Sequence, residues 1–187
     1  MNPYETCPTF ENENFVLRLV DSTDAADLLL VYSDEKAVPY FNSDNCNGDD
    51  FHYTSLERMQ SAIAFWQLAY QGHGFVRWVI IDKNIHHAIG TIELFNRKAE
   101  DYFNDCGLLR LDLRSDYEHK ESILEILSLI TKPAFELFDC KIMATKIPQF
   151  ASERKMAVEQ LGFAESIEKL VGGDDQKVYT DYYVLHR

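Results

Sequence analysis

Residues 106–130 read CGLLRLDLRSDYEHKESILEILSLI, and this stretch decides the fold. Its first part, residues 106–113, alternates between two faces, which predicts a β-strand with Leu109, Leu111 and Leu113 on one face and Arg110 and Asp112 on the other. Residues 118–138 then carry apolar side chains at helical spacing, which predicts a long helix that Pro133 kinks or divides. A strand that leads directly into an amphipathic helix indicates helices packed on a sheet.

The sequence before this stretch predicts one strand, two helices and a β-hairpin. Residues 15–20 (FVLRLV) are typical of a strand, and the acids and hydroxyls of residues 21–24 can cap a helix that reaches Tyr32. A second helix is expected to open at Thr54, where TSLE fits a capping box, and to stop at Gly72. Residues 75–82 and 88–97 are expected to pair as a hairpin.

The sequence after it predicts a strand at 141–146, a helix at 152–160 and a final hairpin from 164 to 186. Gly162 is expected to end that helix in the left-handed conformation. The predicted order is therefore β-α-α-β-β-β-α-β-α-β-β. It describes a mixed α+β domain with one central, mostly antiparallel sheet of about seven strands and about four flanking helices. We expect residues 1–187 to form a single domain with a polar N-terminal extension over residues 1–13.

Composition narrows the classes of function. The 18 basic and 31 acidic residues give a formal charge of −13, which disfavours binding to nucleic acids and to anionic membranes. Residues 1–11 lack a charged start followed by an apolar run, so we expect neither a secretory signal nor a membrane span. Four dispersed cysteines without a C-x-x-C motif indicate free thiols and a cytoplasmic protein. The sequence contains no motif for a metal site.

Several strings, in this order and spacing, resemble the GNAT N-acetyltransferase superfamily. They are FVLRLV with DSTDAADLL, RWVIID with IGTIELF, EQLGF, and the closing YTDYYVL, so that the resemblance covers about residues 14–187. The similarity is greatest to the branch that acetylates the N-terminal amines of ribosomal proteins. It implies an acyltransferase that uses acetyl-CoA as co-substrate. Oligomeric state stays open, a homodimer included.

The resemblance also implies where the donor binds. In that family the strand before the long helix diverges from its neighbour and pairs with the pantetheine arm of CoA, while a glycine-containing loop at the helix start holds the pyrophosphate. Carried onto this chain, the pantetheine strand is Leu111, Asp112 and Leu113. The pyrophosphate loop is Glu118, His119, Lys120, Glu121, Ser122 and Ile123.

This loop departs from the family pattern, which is roughly Q/R-x-x-G-x-G/A. Glu118 stands at the basic or amide position, Glu121 replaces the first glycine and Ile123 the last small residue. A carboxylate about 5 Å from a phosphate weakens binding by roughly 1–3 kcal/mol. His119, Lys120 and Arg114 offer nearby positive charge, and backbone donors stay available if Glu118 and Glu121 point to solvent.

Catalytic residues are assigned by position within the resemblance. Leu108 stands where many relatives carry a glutamate, so Glu93 on the preceding strand is the candidate catalytic acid; the alternative is an exposed strand residue. Tyr183, or Tyr179, is the candidate that protonates the leaving thiolate; the alternative is a core or edge-strand tyrosine. Aromatic residues around the second helix could line an amine pocket.

Two functions remain open at this point. The first is an N-acetyltransferase that moves an acetyl group from acetyl-CoA to a primary amine, of a small molecule or of a peptide or protein N-terminus, by direct attack. The second is a degenerate GNAT-fold module that binds a partner without tight CoA binding. The residues of the loop 118–123 distinguish the two.

Overall fold

The computed structural model describes residues 2–187, and its largest element is one sheet that takes in eight strands. In spatial order these are β1 (Phe10–Glu11), β2 (Phe15–Leu19), β3 (Val76–Asp82), β4 (His87–Arg97), β5 (Cys106–Leu113), β6 (Ile142–Lys146), β10 (Tyr182–His186) and β7 (Ala164–Glu165). A separate pair consists of β8 (Leu170–Val171) and β9 (Val178–Tyr179). The strand alternation that the sequence carries thus produces the mixed α+β class that it predicts.

Four α-helices cover the two faces of the sheet: α1 (Ala25–Tyr32), α2 (Leu56–Gln71), α3 (Lys120–Leu137) and α4 (Ser152–Gln160). The apolar sides of α3 and α4 pack with Leu109, Leu111 and Leu113 in one core cluster. α1 and α2 pack on the opposite face in a second cluster that includes Trp66. None of the helices within residues 2–187 is both long and apolar enough to cross a membrane.

The parallel pair β5–β6 ends early and leaves a fork in the sheet. All other strand pairs are antiparallel, whereas β5 and β6 run parallel from Cys106 opposite Ile142 to Leu109 opposite Thr145. β5 continues to Leu113, paired only with β4 on its other edge. We call the gap between residues 110–113 and the end of β6 the fork.

Helix ends differ from the sequence prediction in detail. Ser55, not Thr54, caps α2, because its side chain accepts a hydrogen bond from the Arg58 amide. Pro133 does not divide α3, which runs unbroken to Leu137. Gly162 takes a φ of +95° after α4, as the sequence predicts.

Both ends of the chain also add structure that the sequence prediction lacks. The polar extension contributes β1, and the Trp78 indole donates to the Pro8 carbonyl at 2.8 Å, so this segment packs against the sheet. The final segment is not one hairpin: β10 pairs with β6 and with the short β7, while residues 170–179 fold as the separate β8–β9 pair. Two-residue strands carry too little alternation to be seen in sequence.

Candidate active site

A row of charged side chains crosses three strands on the face of α1 and α2. Arg77 on β3 lies opposite Glu93 on β4, and Glu93 lies opposite Arg110 on β5. Each guanidinium binds one oxygen of the Glu93 carboxylate, Arg110 Nη1 to Oε1 at 2.8 Å and Arg77 Nη2 to Oε2. Glu93 is 2% exposed. The alternative that Glu93 is an exposed strand residue is therefore wrong.

Asp112 extends this row on the same face. Arg77 Nη1 donates to the Asp112 carboxylate at 3.1 Å and to the hydroxyls of Tyr32 and Thr91. The Arg77 guanidinium also lies over the Trp66 ring, with its carbon 4.2 Å from the ring centroid. Because these charges are buried, their pairing is what makes them tolerable there.

The pKa values of the two acids move in opposite directions. Burial alone would raise the pKa of Glu93, but the guanidinium groups of Arg77 and Arg110 outweigh it, and the pKa lies below its usual range. Burial dominates at Asp112 and raises its pKa, although Arg77 and Tyr32 oppose the shift. Glu93 is therefore ionised and engaged on both oxygens, which makes it a weak proton acceptor.

Asp44 lies at the open end of the fork on this face and contacts both β5 and β6. Its carboxylate accepts from Lys146 Nζ at 2.7 Å on both oxygens, and its carbonyl accepts from Arg110 Nη2 at 2.8 Å. Lys146 and Arg110 are the residues that follow the last β5–β6 pair. The Tyr182 hydroxyl donates to the same carboxylate at 3.0 Å. Asp44 thus contacts both strands just beyond their last paired residues.

Two cavities open above the charged row and meet at Arg110, Phe95 and Asn45. One, of about 420 Å³, has Arg77, Glu93 and Arg110 at its base and aromatic walls formed by Phe51, Tyr53, Phe65, Trp66, Phe75 and Phe95. The other, of about 650 Å³, extends past Asp44 and Tyr182 to the β8–β9 pair. Volumes of this size suit an organic ligand.

On the opposite face, α3 and α4 close over the fork. The buried Arg154 guanidinium on α4 donates to both oxygens of the Glu118 carboxylate, from Nε at 2.8 Å and from Nη2. The Lys120 amide at the start of α3 donates to Glu153 Oε2 at 2.9 Å. We call these contacts the α3–α4 bridge. Arg154 reaches further, to the Tyr40 carbonyl at 3.2 Å.

The residues around the fork do not fit a CoA molecule in this arrangement. The cavity inside the fork, lined by Leu111, Ile123 and Arg154 among others, has no room for a water molecule. The first amide of α3, which the resemblance assigns to the pyrophosphate, already has a carboxylate acceptor. Glu118 does not point to solvent, since its side chain is 4% exposed. A donor that used this site would first have to displace the bridge.

The residues predicted to bind the acyl donor lie around the fork, but their side chains occupy different environments. Leu111 lines the fork and Leu113 lies in the core beneath α3, whereas the Asp112 side chain points to the opposite face. In the loop, α3 begins at Lys120, not at Glu118. Glu121 and His119 are exposed, Ser122 is half-buried, and Ile123 is buried beside the fork.

The two adjacent tyrosines of β10 face opposite ways. Tyr183 lies opposite Thr145 and packs in the α3 and α4 core, with the Lys155 ammonium 5.9 Å from its ring centroid. Tyr182 faces Asp44 and the larger cavity. Tyr179 binds Asp175 in the β8–β9 segment. Their catalytic assignment, like that of Glu93, stays a prediction.

Sequence reasoning missed most of the charged groups at the site. Arg77 and Arg110 each interrupt an apolar strand, as Glu93 does, and that shared signal could have found the row. Asp44 lies in a loop whose path is set by left-handed residues such as Asn45, with φ of 56°. Glu153 and Arg154 meet the start of α3 only in three dimensions. Within residues 2–187, no group of three His, Cys, Asp or Glu side chains is placed to hold a metal ion.

Comparison with solved structures places this fold among acetyltransferases. Ribosomal-protein-S5-alanine acetyltransferase from Vibrio fischeri superposes with a TM-score of 0.69 and 18% identity, covering 95% of this chain and 94% of that one. Mycobacterium smegmatis RimJ in complex with CoA-disulfide gives a TM-score of 0.72 and 13% identity, covering 100% and 90%. At such identities the likeness concerns the fold. No curated protein sequence matches the chain significantly.

The low sequence identities to solved structures support only the fold, but a family model identifies the family. The model described as "Acetyltransferase (GNAT) domain" matches residues 14–164, which span every strand and helix that borders the fork except β10. The match agrees with the resemblance drawn from the sequence strings. The chain therefore belongs to the GNAT acetyltransferase family.

Proposed function

We propose that this protein transfers the acetyl group of acetyl-CoA to a primary amine, either of a small molecule or of a peptide or protein N-terminus. The amine nitrogen would attack the thioester carbonyl directly, so that a C–N bond forms, the C–S bond breaks and the thiol leaves. Membership of the acetyltransferase family is the observation that carries the proposal. Proteins named as ribosomal-protein acetyltransferases share the fold.

The two faces of the fork support a division of labour between donor and acceptor. The face of α3 and α4 carries the side chains that the resemblance assigns to the donor, apart from Asp112, and the opposite face carries two open cavities. An amine held in either cavity would approach the fork at Arg110, which lines both. Bringing the two reactants together in this way supplies much of the rate in a direct attack.

The charged row supports a positioning part for Glu93. Its carboxylate fixes Arg77 and Arg110, and Arg110 in turn binds the Asp44 carbonyl at the fork. We propose that Glu93 acts in this indirect way, and that the neutral amine is the nucleophile, whose nitrogen gives up its proton to solvent water as the C–N bond forms. Tyr183 remains our candidate for protonating the thiolate, because it lies on the α3 and α4 face beside Thr145.

The surface charge supports a cationic acceptor. The chain has a formal charge of −13, which raises the local concentration of ammonium ions and basic peptides. The smaller cavity offers six aromatic side chains that can hold the apolar part of an acceptor.

We also propose that residues 1–187 act as one acetyltransferase domain in the cytoplasm. Strands from Phe10 to His186 join one sheet, which supports a single unit. All four cysteines are free thiols, which suits a reducing compartment.

The experiment is a transfer assay with purified protein and acetyl-CoA. The acceptors are a polyamine, a set of peptides with free N-termini, and the same peptides with blocked N-termini and a free lysine. We expect thiol release together with the mass increase of one acetyl group on at least one free-amine acceptor. The blocked peptides separate N-terminal from side-chain transfer, and a reaction without acceptor measures thioester hydrolysis. Absence of transfer to every amine at saturating acetyl-CoA would contradict the proposal.

The α3–α4 bridge favours a second candidate, a GNAT-fold module that binds a partner without tight CoA binding. Its contacts place carboxylates where the resemblance expects phosphates. This candidate predicts that calorimetry finds no CoA binding even at millimolar concentrations. The first candidate predicts that binding is measurable.

A further inference from the structure

The α3–α4 bridge puts negative charge of the chain itself at the beginning of α3. Helix amides that lack an intrahelical partner attract anions, since they combine free N–H groups with the positive end of the helix dipole. Here the Lys120 amide is bound by Glu153 at 2.9 Å. Glu153 belongs to α4, so this cap is a tertiary contact and not part of the local helix signal.

A second contact closes the same region independently. Arg154, the next residue on α4, is 3% exposed and pairs with the equally buried Glu118, which precedes α3. The guanidinium also donates to the Tyr40 carbonyl. A buried arginine held by three hydrogen bonds does not move freely, and breaking such a pair is costly.

A third observation concerns space. The cavity within the fork is lined by Arg154 together with Leu111 and Ile123, and it cannot hold a water molecule. The three observations agree that α3 and α4 meet over the fork. The resemblance places the donor phosphates at the start of α3. In this chain the carboxylates and the guanidinium of the bridge fill that region.

We infer that Glu153, supported by the Glu118–Arg154 pair, keeps the phosphates of the acyl donor away from the start of α3 and so sets the donor affinity of this chain. The inference rests on the proposed function for the identity of the donor as a CoA thioester. Glu153 is thus a specificity-determining residue. If the charge of Glu153 were removed, a phosphate that approaches the Lys120 amide would meet less repulsion.

Electrostatics sets the size of the expected effect. A carboxylate about 5 Å from a phosphate charge weakens binding by about fivefold at an effective dielectric near 80 and by more than 100-fold near 20. Glu153 is half-buried, so we expect an intermediate value of roughly tenfold.

The test compares Glu153→Gln with a matched control, Glu159→Gln, by calorimetric titration with CoA. Both substitutions remove one negative charge from α4, but Glu159 is exposed and lies about 9 Å further along the helix. Glutamine at position 153 keeps an oxygen that can accept from the Lys120 amide, so the cap and the fold are preserved. Thermal unfolding of both variants checks this. Pantetheine, which lacks the pyrophosphate, is the second probe.

We expect Glu153→Gln to bind CoA about tenfold more tightly than the unaltered protein, with Glu159→Gln changed less than threefold and pantetheine binding the same in all three. Equal tightening by both variants would overturn the inference, because it would reflect net charge alone. Unchanged CoA affinity of Glu153→Gln, or equal gains for pantetheine, would also overturn it.

The outcome is separable from the proposed function. Acetyl transfer by the unaltered protein together with unchanged affinity of Glu153→Gln would overturn the inference and leave the proposed function in place. Tighter CoA binding by Glu153→Gln without transfer to any amine would support the inference and overturn the proposed function.

Discussion

Both faces of the sheet carry buried ion pairs at the fork, yet beside the fork one face is open and the other is closed. On the face of α1 and α2, Glu93 binds two guanidinium groups beneath cavities of about 420 and 650 Å³. On the face of α3 and α4, Glu118 binds one guanidinium, and the cavity beside it cannot hold water. Buried carboxylate–guanidinium pairs are therefore found both beneath open cavities and in a closely packed region.

The difference lies in what separates the charges from the covering helices. Aromatic side chains such as Trp66 and Phe95 stand as walls around the charged row and hold space above it. α3 and α4 instead touch each other, and the salt bridge joins α4 to Glu118, two residues before α3. Buried charges at the base of a cavity can orient a ligand, whereas buried charges between two helices exclude one.

The largest expected effect comes from removing the central acid of the row. Glu93→Gln leaves the guanidinium groups of Arg77 and Arg110 buried without their shared counter-charge. We expect the free energy of unfolding, measured by urea denaturation, to fall by about 3–5 kcal/mol. Glu118→Gln leaves one guanidinium, which keeps the Tyr40 carbonyl as a partner, so we expect a smaller loss of about 1–3 kcal/mol.

The ranking of the two variants tests the comparison. Both exchange a buried glutamate for glutamine of matched size and shape, but Glu93→Gln removes a counter-charge from two guanidinium groups and Glu118→Gln from one. A loss for Glu118→Gln equal to or larger than that for Glu93→Gln would mean that the bridge, not the row, is the stronger ionic cluster.

The next effect is a pH dependence that belongs to Glu93. Its pKa is lower in the folded protein than in the unfolded chain, so its charge contributes stability above the unfolded value near 4.3, and that contribution is lost as the pH falls toward the folded value. The stability difference between the unaltered protein and Glu93→Gln should therefore shrink as the pH drops below about 4.

Urea denaturation at several pH values from neutral to acid measures that difference. The pKa values of Asp82 and Asp101 are also lowered, but these acids are present in both proteins and their contributions cancel. A difference that stays constant or grows on acidification would contradict the inference that Arg77 and Arg110 hold Glu93 ionised.

The contrast between these two regions also explains which features could be predicted from the sequence. Alternation in residues 106–113 and helical spacing in α3 are local signals, and both elements appear as predicted because tertiary packing agrees with them. The departure of the loop 118–123 from the family pattern was also detectable, because it is a local feature of the sequence. Glu153 and Arg154 were not, because a contact between α4 and the start of α3 depends on the crossing of two helices. Asp44 reaches the fork through a loop without any periodic pattern.

The smallest expected effect concerns an ion pair at the rim of the smaller cavity. Arg58 Nη2 lies 2.7 Å from Asp49 Oδ2, but the two side chains are 46% and 30% exposed, so water screens the charges. Arg58→Gln should lower the free energy of unfolding by less than about 1 kcal/mol. The measurement is the same urea denaturation, at low and high salt. Because Arg58 also lies over the Tyr53 ring, at 4.2 Å from its centroid, part of the loss should persist at high salt. A loss as large as that of Glu93→Gln would show that burial does not separate the row from its rim.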